Sequence, residues 1–71
     1  SLMRTLKEIN ADYEKVLHSN LSSREKTKKY VELMNELEQT YKIPALKDET
    51  YERENKKVIA LYRKISMSRE L

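Results

Sequence analysis

Residues 22–41 read SSREKTKKYVELMNELEQTY. The opening Ser22-Ser23-Arg24-Glu25 has the S-x-x-E form of a capping box. In that motif the serine side chain accepts the glutamate's backbone N–H, and the glutamate carboxylate accepts the serine's. Beyond it, Thr27, Tyr30, Met34, Leu37 and Tyr41 recur at steps of three and four, the repeat of one helix face. Val31 and Leu33 lie on either flank of that stripe. Pro44 pushes the residue before it out of the α region, so the helix is expected to break at Ile43. This stretch predicts a helix over 23–42.

The same repeat appears on both sides. Leu6, Ile9, Tyr13 and Val16, widened by Leu17, predict a helix over 3–18. It fades at His18-Ser19-Asn20, whose side chains compete for backbone hydrogen bonds. Downstream, Ile43-Pro44-Ala45-Leu46-Lys47 forms a connection, and its apolar Ile43 and Leu46 are expected to fold back on the helix ends. Asp48 or Thr50 is placed to cap a third helix over 48–68. Its stripe is Tyr51, Asn55, Val58, Tyr62 and Ile65, flanked by Ile59 and Leu61. Glu49 with Arg53, and Glu52 with Lys56, stand at favourable four-residue spacing. Met67 to Leu71 are expected to fray.

Composition supports an all-α chain. Among 71 residues there is no Gly, no Cys and no Trp, and only one Pro. Glycine serves tight turns and strained backbone, so its absence argues against hairpins and also against phosphate-cradling loops. The absence of cysteine removes disulfide scaffolds, thiolate metal sites and cysteine nucleophiles. No apolar run approaches the ~20 residues that cross a bilayer. No secretory signal is read at the start, so a cytoplasmic protein is expected. Ser1 and Leu2 precede Met3-Arg4-Thr5-Leu6-Lys7, which reads as a natural start, and are expected to be an expression scar.

The fold expected is a single small domain over 1–71. Two short connections make it an antiparallel three-helix bundle. The alternative is a helical hairpin plus a third helix, completed by dimerisation. The apolar stripes are thin for a chain of this length. Val31, Leu33, Ile59 and Leu61 therefore serve either as third-helix contacts or as an interaction surface, a homodimer included.

Net charge is +3 with signs interspersed. An up-down-up path gathers Arg24, Lys26, Lys28, Lys29, Arg63 and Lys64 towards one pole, and acidic residues such as Glu49, Glu52 and Glu54 towards the other. Cations in the opening turn of the second helix oppose its dipole by roughly 0.3–1 kcal/mol each. The basic pole is thus a candidate contact for an acidic partner or a nucleic-acid backbone. Against it, Glu25–Lys29 and Lys28–Glu32 pairs would make the same residues an ordinary solvated surface.

No motif carries catalysis, a cofactor or a small-molecule substrate. His18 is the sole histidine and offers no metal set; a position near a helix C-terminus suits its protonated form. Tyr13, Tyr30, Tyr41 and Tyr62 sit on apolar stripes, with hydroxyls expected to reach solvent or to line a recognition surface. Asn55, on the inner stripe, is placed either to fix register or at a solvated edge. The expectation is a non-enzymatic helical module that binds another protein or itself, without membrane association. Nucleic-acid binding through the basic pole is the alternative.

Met34-Asn35-Glu36-Leu37-Glu38, within Leu21 to Leu37 and its continuation, resembles the second helix of the hairpin aspartyl-phosphate phosphatases of sporulation signalling. Those proteins carry a Ser-Gln-x-Leu-Asp signature there. Here the serine is Met34, the glutamine Asn35 and the aspartate Glu38, and the third helix has no counterpart. The resemblance covers roughly a third of the chain. It implies a helical hairpin and, as a weaker alternative function, a regulatory phosphatase; the departures leave the activity uncarried.

Overall fold

Thr5 begins the first helix. Its hydroxyl accepts the Glu8 N–H at 3.2 Å, and the Glu8 carboxylate accepts the Thr5 N–H at 2.8 Å. This reciprocal box starts α1, Leu6–Leu17, later than the residue 3 expected from periodicity. The Ser22–Glu25 box forms as its spacing predicts and starts α2, Ser23–Tyr41. The computed structural model describes residues 3–69. The expectations for Ser1 and Leu2, and for fraying at Glu70 and Leu71, lie outside the described residues.

The end of α2 is set by Lys42. This residue adopts the left-handed conformation (φ 57°, ψ 46°), the only non-glycine positive φ among the described residues. Its N–H and that of Ile43 both return to the Glu38 carbonyl. Glycine is the usual residue at such a stop, and this chain has none. In the connection that follows, Ile43 packs against the core as expected. Leu46 does not fold back: it is 84% exposed.

The third predicted helix is two helices. Asp48, not Thr50, caps α3, Glu49–Glu54, by accepting the Tyr51 N–H at 3.0 Å. At Asn55 the backbone leaves the helical region (φ −131°, ψ 48°), and α4 runs from Lys56 to Ser68. The Asn55 backbone N–H and side-chain amide both donate to the Tyr51 carbonyl. Its own carbonyl accepts the Ile59 N–H. A short polar side chain offering the backbone a local alternative is the reason the helix breaks there. Asn55 therefore marks the break between α3 and α4 rather than a seam position.

α1, α2 and α4 pack as an up-down-up bundle, with α3 set against α4. The core holds Ile9 and Tyr13 from α1, Tyr30, Leu33, Met34 and Leu37 from α2, and Leu61 and Ile65 from α4. Leu6, Val16, Ile43, Tyr41 and Tyr62 close its margins. Within α1, α2 and α4 the stripes read from the sequence thus face the core, except that Leu17 stays exposed; Tyr51 and Asn55, at the start of the third stripe, are only half-buried. The Tyr13 and Tyr30 rings meet in a tilted pair at 5.6 Å between centroids, a geometry that favours aromatic pairs.

Tyrosine hydroxyls tie the bundle together instead of pointing to solvent. Tyr13 bonds Ser68 near the end of α4 at 2.6 Å. Tyr41 donates to the Arg4 carbonyl at 2.9 Å, and Tyr51 donates to the Tyr41 carbonyl. Tyr62 donates to Glu38. Three of these bonds join residues 24 or more apart in sequence, and Tyr51–Tyr41 closes the connection between α2 and α3.

Candidate functional site

The four candidate interaction residues line different parts of the bundle. Leu33 and Leu61 are core residues, 8% and 7% exposed. Val31 and Ile59 are half-buried. Leu33 lies under a groove between α1 and α2, Leu61 under one between α1 and α4, and Ile59 beside α3. Two of the four thus complete the monomer's core, as third-helix contacts would.

The basic pole is also divided. Arg24, Lys28 and Lys29 are exposed and make no ion pair among the described residues. The Glu25–Lys29 pair does not form, because Glu25 caps Ser22. Lys26 donates to the Leu17 carbonyl at 3.1 Å and so satisfies the C-terminal end of α1. Arg63 is turned towards α3 by Glu52, at 3.0 Å. That contact replaces the expected Glu52–Lys56 pair. Lys64 reaches across to α1, where its ammonium donates to Asn10 Oδ1 at 3.0 Å and lies 5.3 Å from the Tyr13 ring centroid.

Lys64 belongs instead to a site that the polar reading of the sequence missed. Leu6, Lys7 and Asn10 of α1 and Lys57, Ala60, Leu61 and Lys64 of α4 line an open groove of about 360 Å³. Its floor is apolar, from Leu6, Ala60 and Leu61. Its charged lining is Lys7, Lys57 and Lys64, with no carboxylate among the described residues. The α4 contribution was legible as a pattern: 57, 60, 61 and 64 are the i, i+3, i+4, i+7 positions of one helix face. Adding Lys7 required knowing that α1 and α4 run side by side.

The groove between α1 and α2 has a different character. There Arg4, Lys15 and Lys29 face Asp12, Glu32 and Glu36. Arg4 donates to Glu36 twice, Nε to Oε2 at 2.8 Å and Nη2 to Oε1 at 2.6 Å, and also bonds Asp12. These bonds hold both carboxyls below the usual carboxylate range and raise the guanidinium. Arg4, Asp12 and Glu36 thus satisfy one another within the molecule. His18, at the end of α1, stands 3.6 Å from Glu14. No group of His, Asp and Glu able to hold a metal occurs among the described residues. No helix there is long and apolar enough to cross a membrane.

Most residues of the phosphatase resemblance have structural partners, whereas Asn35 is exposed. Met34 and Leu37 are buried in the core. Glu36 is held by Arg4, and Glu38 accepts the Tyr62 hydroxyl. Burial, with that bond and the charge of Glu38, pushes Tyr62 up to about 12. Comparison with protein-family models, curated proteins and solved structures finds no match to this chain.

Proposed function

We propose that this chain is a non-enzymatic helical module, acting in the cytoplasm, that binds another protein through the groove between α1 and α4. The observation that supports this reading is the groove's composition: an apolar floor open to solvent, rimmed by three lysines and no acid. An apolar surface with a polar rim is the anatomy of a protein-binding patch. In the groove between α1 and α2, by contrast, Arg4 is engaged by both Asp12 and Glu36.

The test is site-specific photocrosslinking. A photoreactive residue at position 60, on the groove floor, is compared with one at exposed position 35 on α2. A discrete protein adduct at 60 and none at 35 is the expected result. An adduct of the chain with itself would make the module a homodimer. Equal labelling at both positions, or none at either, would remove the reading.

Nucleic-acid binding is the second reading. It is favoured by Arg24, Lys28 and Lys29, which stand exposed without ion pairs among the described residues. Retention on immobilised DNA or RNA at low salt tests it.

A further inference from the structure

We infer that the α1/α4 groove receives an acidic amphipathic helix, whose carboxylates, two turns apart, bracket leucine or methionine side chains. This rests on the protein-binding reading of the same groove and adds the chemistry of its occupant. Charge comes first. Lys7 and Lys57 are exposed and make no ion pair among the described residues. Lys64 is oriented by Asn10 and the Tyr13 ring, contacts that fix the ammonium without neutralising it. Cations in a helix's first turn oppose its dipole, yet α4 opens with Lys56 and Lys57 and has no acid in its first turn. Its N-cap, Asn55, makes no side-chain capping bond. The groove therefore has a concentrated positive field at one end and along its rim, which a partner's carboxylates would offset.

Shape argues for a helix. The groove runs between two helices whose N-termini lie at the same end, as Lys64–Asn10 and Tyr13–Ser68 pair in order along them. An added helix would pack there as the fourth member of a bundle. Lys57 and Lys64 are seven residues apart, about 10 Å along the axis. Acidic residues seven apart on a nearly aligned helix meet that spacing, and the side chains between them fall on Leu6, Ala60 and Leu61. Ala60, exposed and small, permits close approach. The described residues contain no strand whose edge could take an extended peptide. In a second copy of this chain the carboxylates seven apart are Glu25 and Glu32 of α2, and Lys28 and Lys29, rather than leucine or methionine, lie between them on that face.

The probe is a synthetic amphipathic helix of about fourteen residues, close to the 13 of α4, with leucines on one face and glutamates seven apart beside them. Two counterparts replace either its glutamates by lysine or its leucines by alanine. Amide chemical shifts of the isotopically labelled chain report binding. The acidic peptide is expected to move Leu6, Lys7, Asn10, Lys57, Ala60, Leu61 and Lys64, whereas both counterparts fail. Lys57→Glu with Lys64→Glu, both at exposed positions, is expected to weaken the acidic peptide at least about tenfold and to admit the lysine peptide. Ala60→Arg, which fills the floor and keeps the rim, should also block binding.

No shift with the acidic peptide, shifts elsewhere, or equal binding by the alanine peptide would overturn the inference. Shifts at these residues on concentrating the free chain would overturn it in favour of a second copy. If crosslinking at position 60 captures a protein while the acidic peptide fails, the binding reading stands and the acidic-helix inference falls. If both fail, both fall.

Discussion

Arg4 grips Glu36 with two parallel hydrogen bonds, at 2.8 and 2.6 Å, across a sequence separation of 32 residues. The same guanidinium also bonds Asp12, so one side chain ahead of α1 fastens α1 to α2. Forked pairing of this kind is the strong form of a surface ion pair.

A pH dependence follows from that clasp. Hydrogen bonds from Arg4 lower both Asp12 and Glu36. A carboxyl depressed in the fold contributes stability above its unfolded value, about 4, and loses it as pH falls through the folded value. The side chains are 30–42% exposed, so screening limits the total to about 1 kcal/mol. The midpoint of urea unfolding is expected to fall on going from neutral pH to about 3. Arg4→Met should lower the neutral midpoint and flatten that fall. An unchanged acid dependence in Arg4→Met would show that the clasp contributes nothing in solution.

At the alkaline end the relevant group is Tyr62. Burial first, and then Glu38, raises it to about 12. A raised folded value means stability present below the unfolded value, about 10, and lost as pH climbs through the folded one. Ultraviolet titration of the five tyrosines should therefore show a late step. Tyr62→Phe should delete that step and reduce alkaline destabilisation. Persistence of the late step in Tyr62→Phe would assign it elsewhere, with Tyr51, also raised by burial, the first candidate.

These bonds mark where the sequence stopped being informative. The stripes Ile9–Tyr13, Tyr30–Met34–Leu37 and Val58–Ile65 were legible because helical period alone decides which face is buried. The Ser22–Glu25 cap was legible because its partners are three residues apart. Thr5–Glu8 has an equivalent spacing, so that start was there to be read. Asn55 was misplaced because period treats it as one more inner position, whereas its amide closes on Tyr51 and ends the helix. Arg4–Glu36, Tyr41–Arg4 and Tyr62–Glu38 join distant segments. No local pattern announces such pairs. The lysine groove likewise needed α1 and α4 side by side, although half of it was already an i, i+3, i+4, i+7 set on one helix.

Lys42 holds a left-handed backbone with a β-carbon in place. That conformation costs a non-glycine residue about 1–2 kcal/mol, while glycine adds about 0.4–1 kcal/mol of unfolded-state entropy. Lys42→Gly is therefore expected to stabilise the fold by about 0.5–1 kcal/mol. For a chain this short that raises the melting temperature by a few degrees, roughly 2–8 °C. Thermal unfolding followed by circular dichroism measures it. A lower melting temperature would mean that Lys42 relaxes out of the left-handed region in solution.

The divided basic pole makes a separate prediction about polyanions. Arg24, Lys28 and Lys29 are exposed, whereas Arg63 is paired with Glu52 and Lys64 is turned onto α1. Each phosphate neutralised on duplex DNA contributes about −0.9 to the slope of log affinity against log salt. Any DNA binding by this chain should thus have a shallow slope, near −3, and little sequence preference. Lys28→Glu with Lys29→Glu should abolish retention on a DNA column. Arg63→Ala should leave it unchanged, because Glu52 already occupies that guanidinium. The same Lys28 and Lys29 changes should not alter peptide binding at the α1/α4 groove, which neither residue lines. A steep slope together with sensitivity to Arg63→Ala would instead show the whole pole acting as one surface, with the Arg63–Glu52 contact giving way to phosphate.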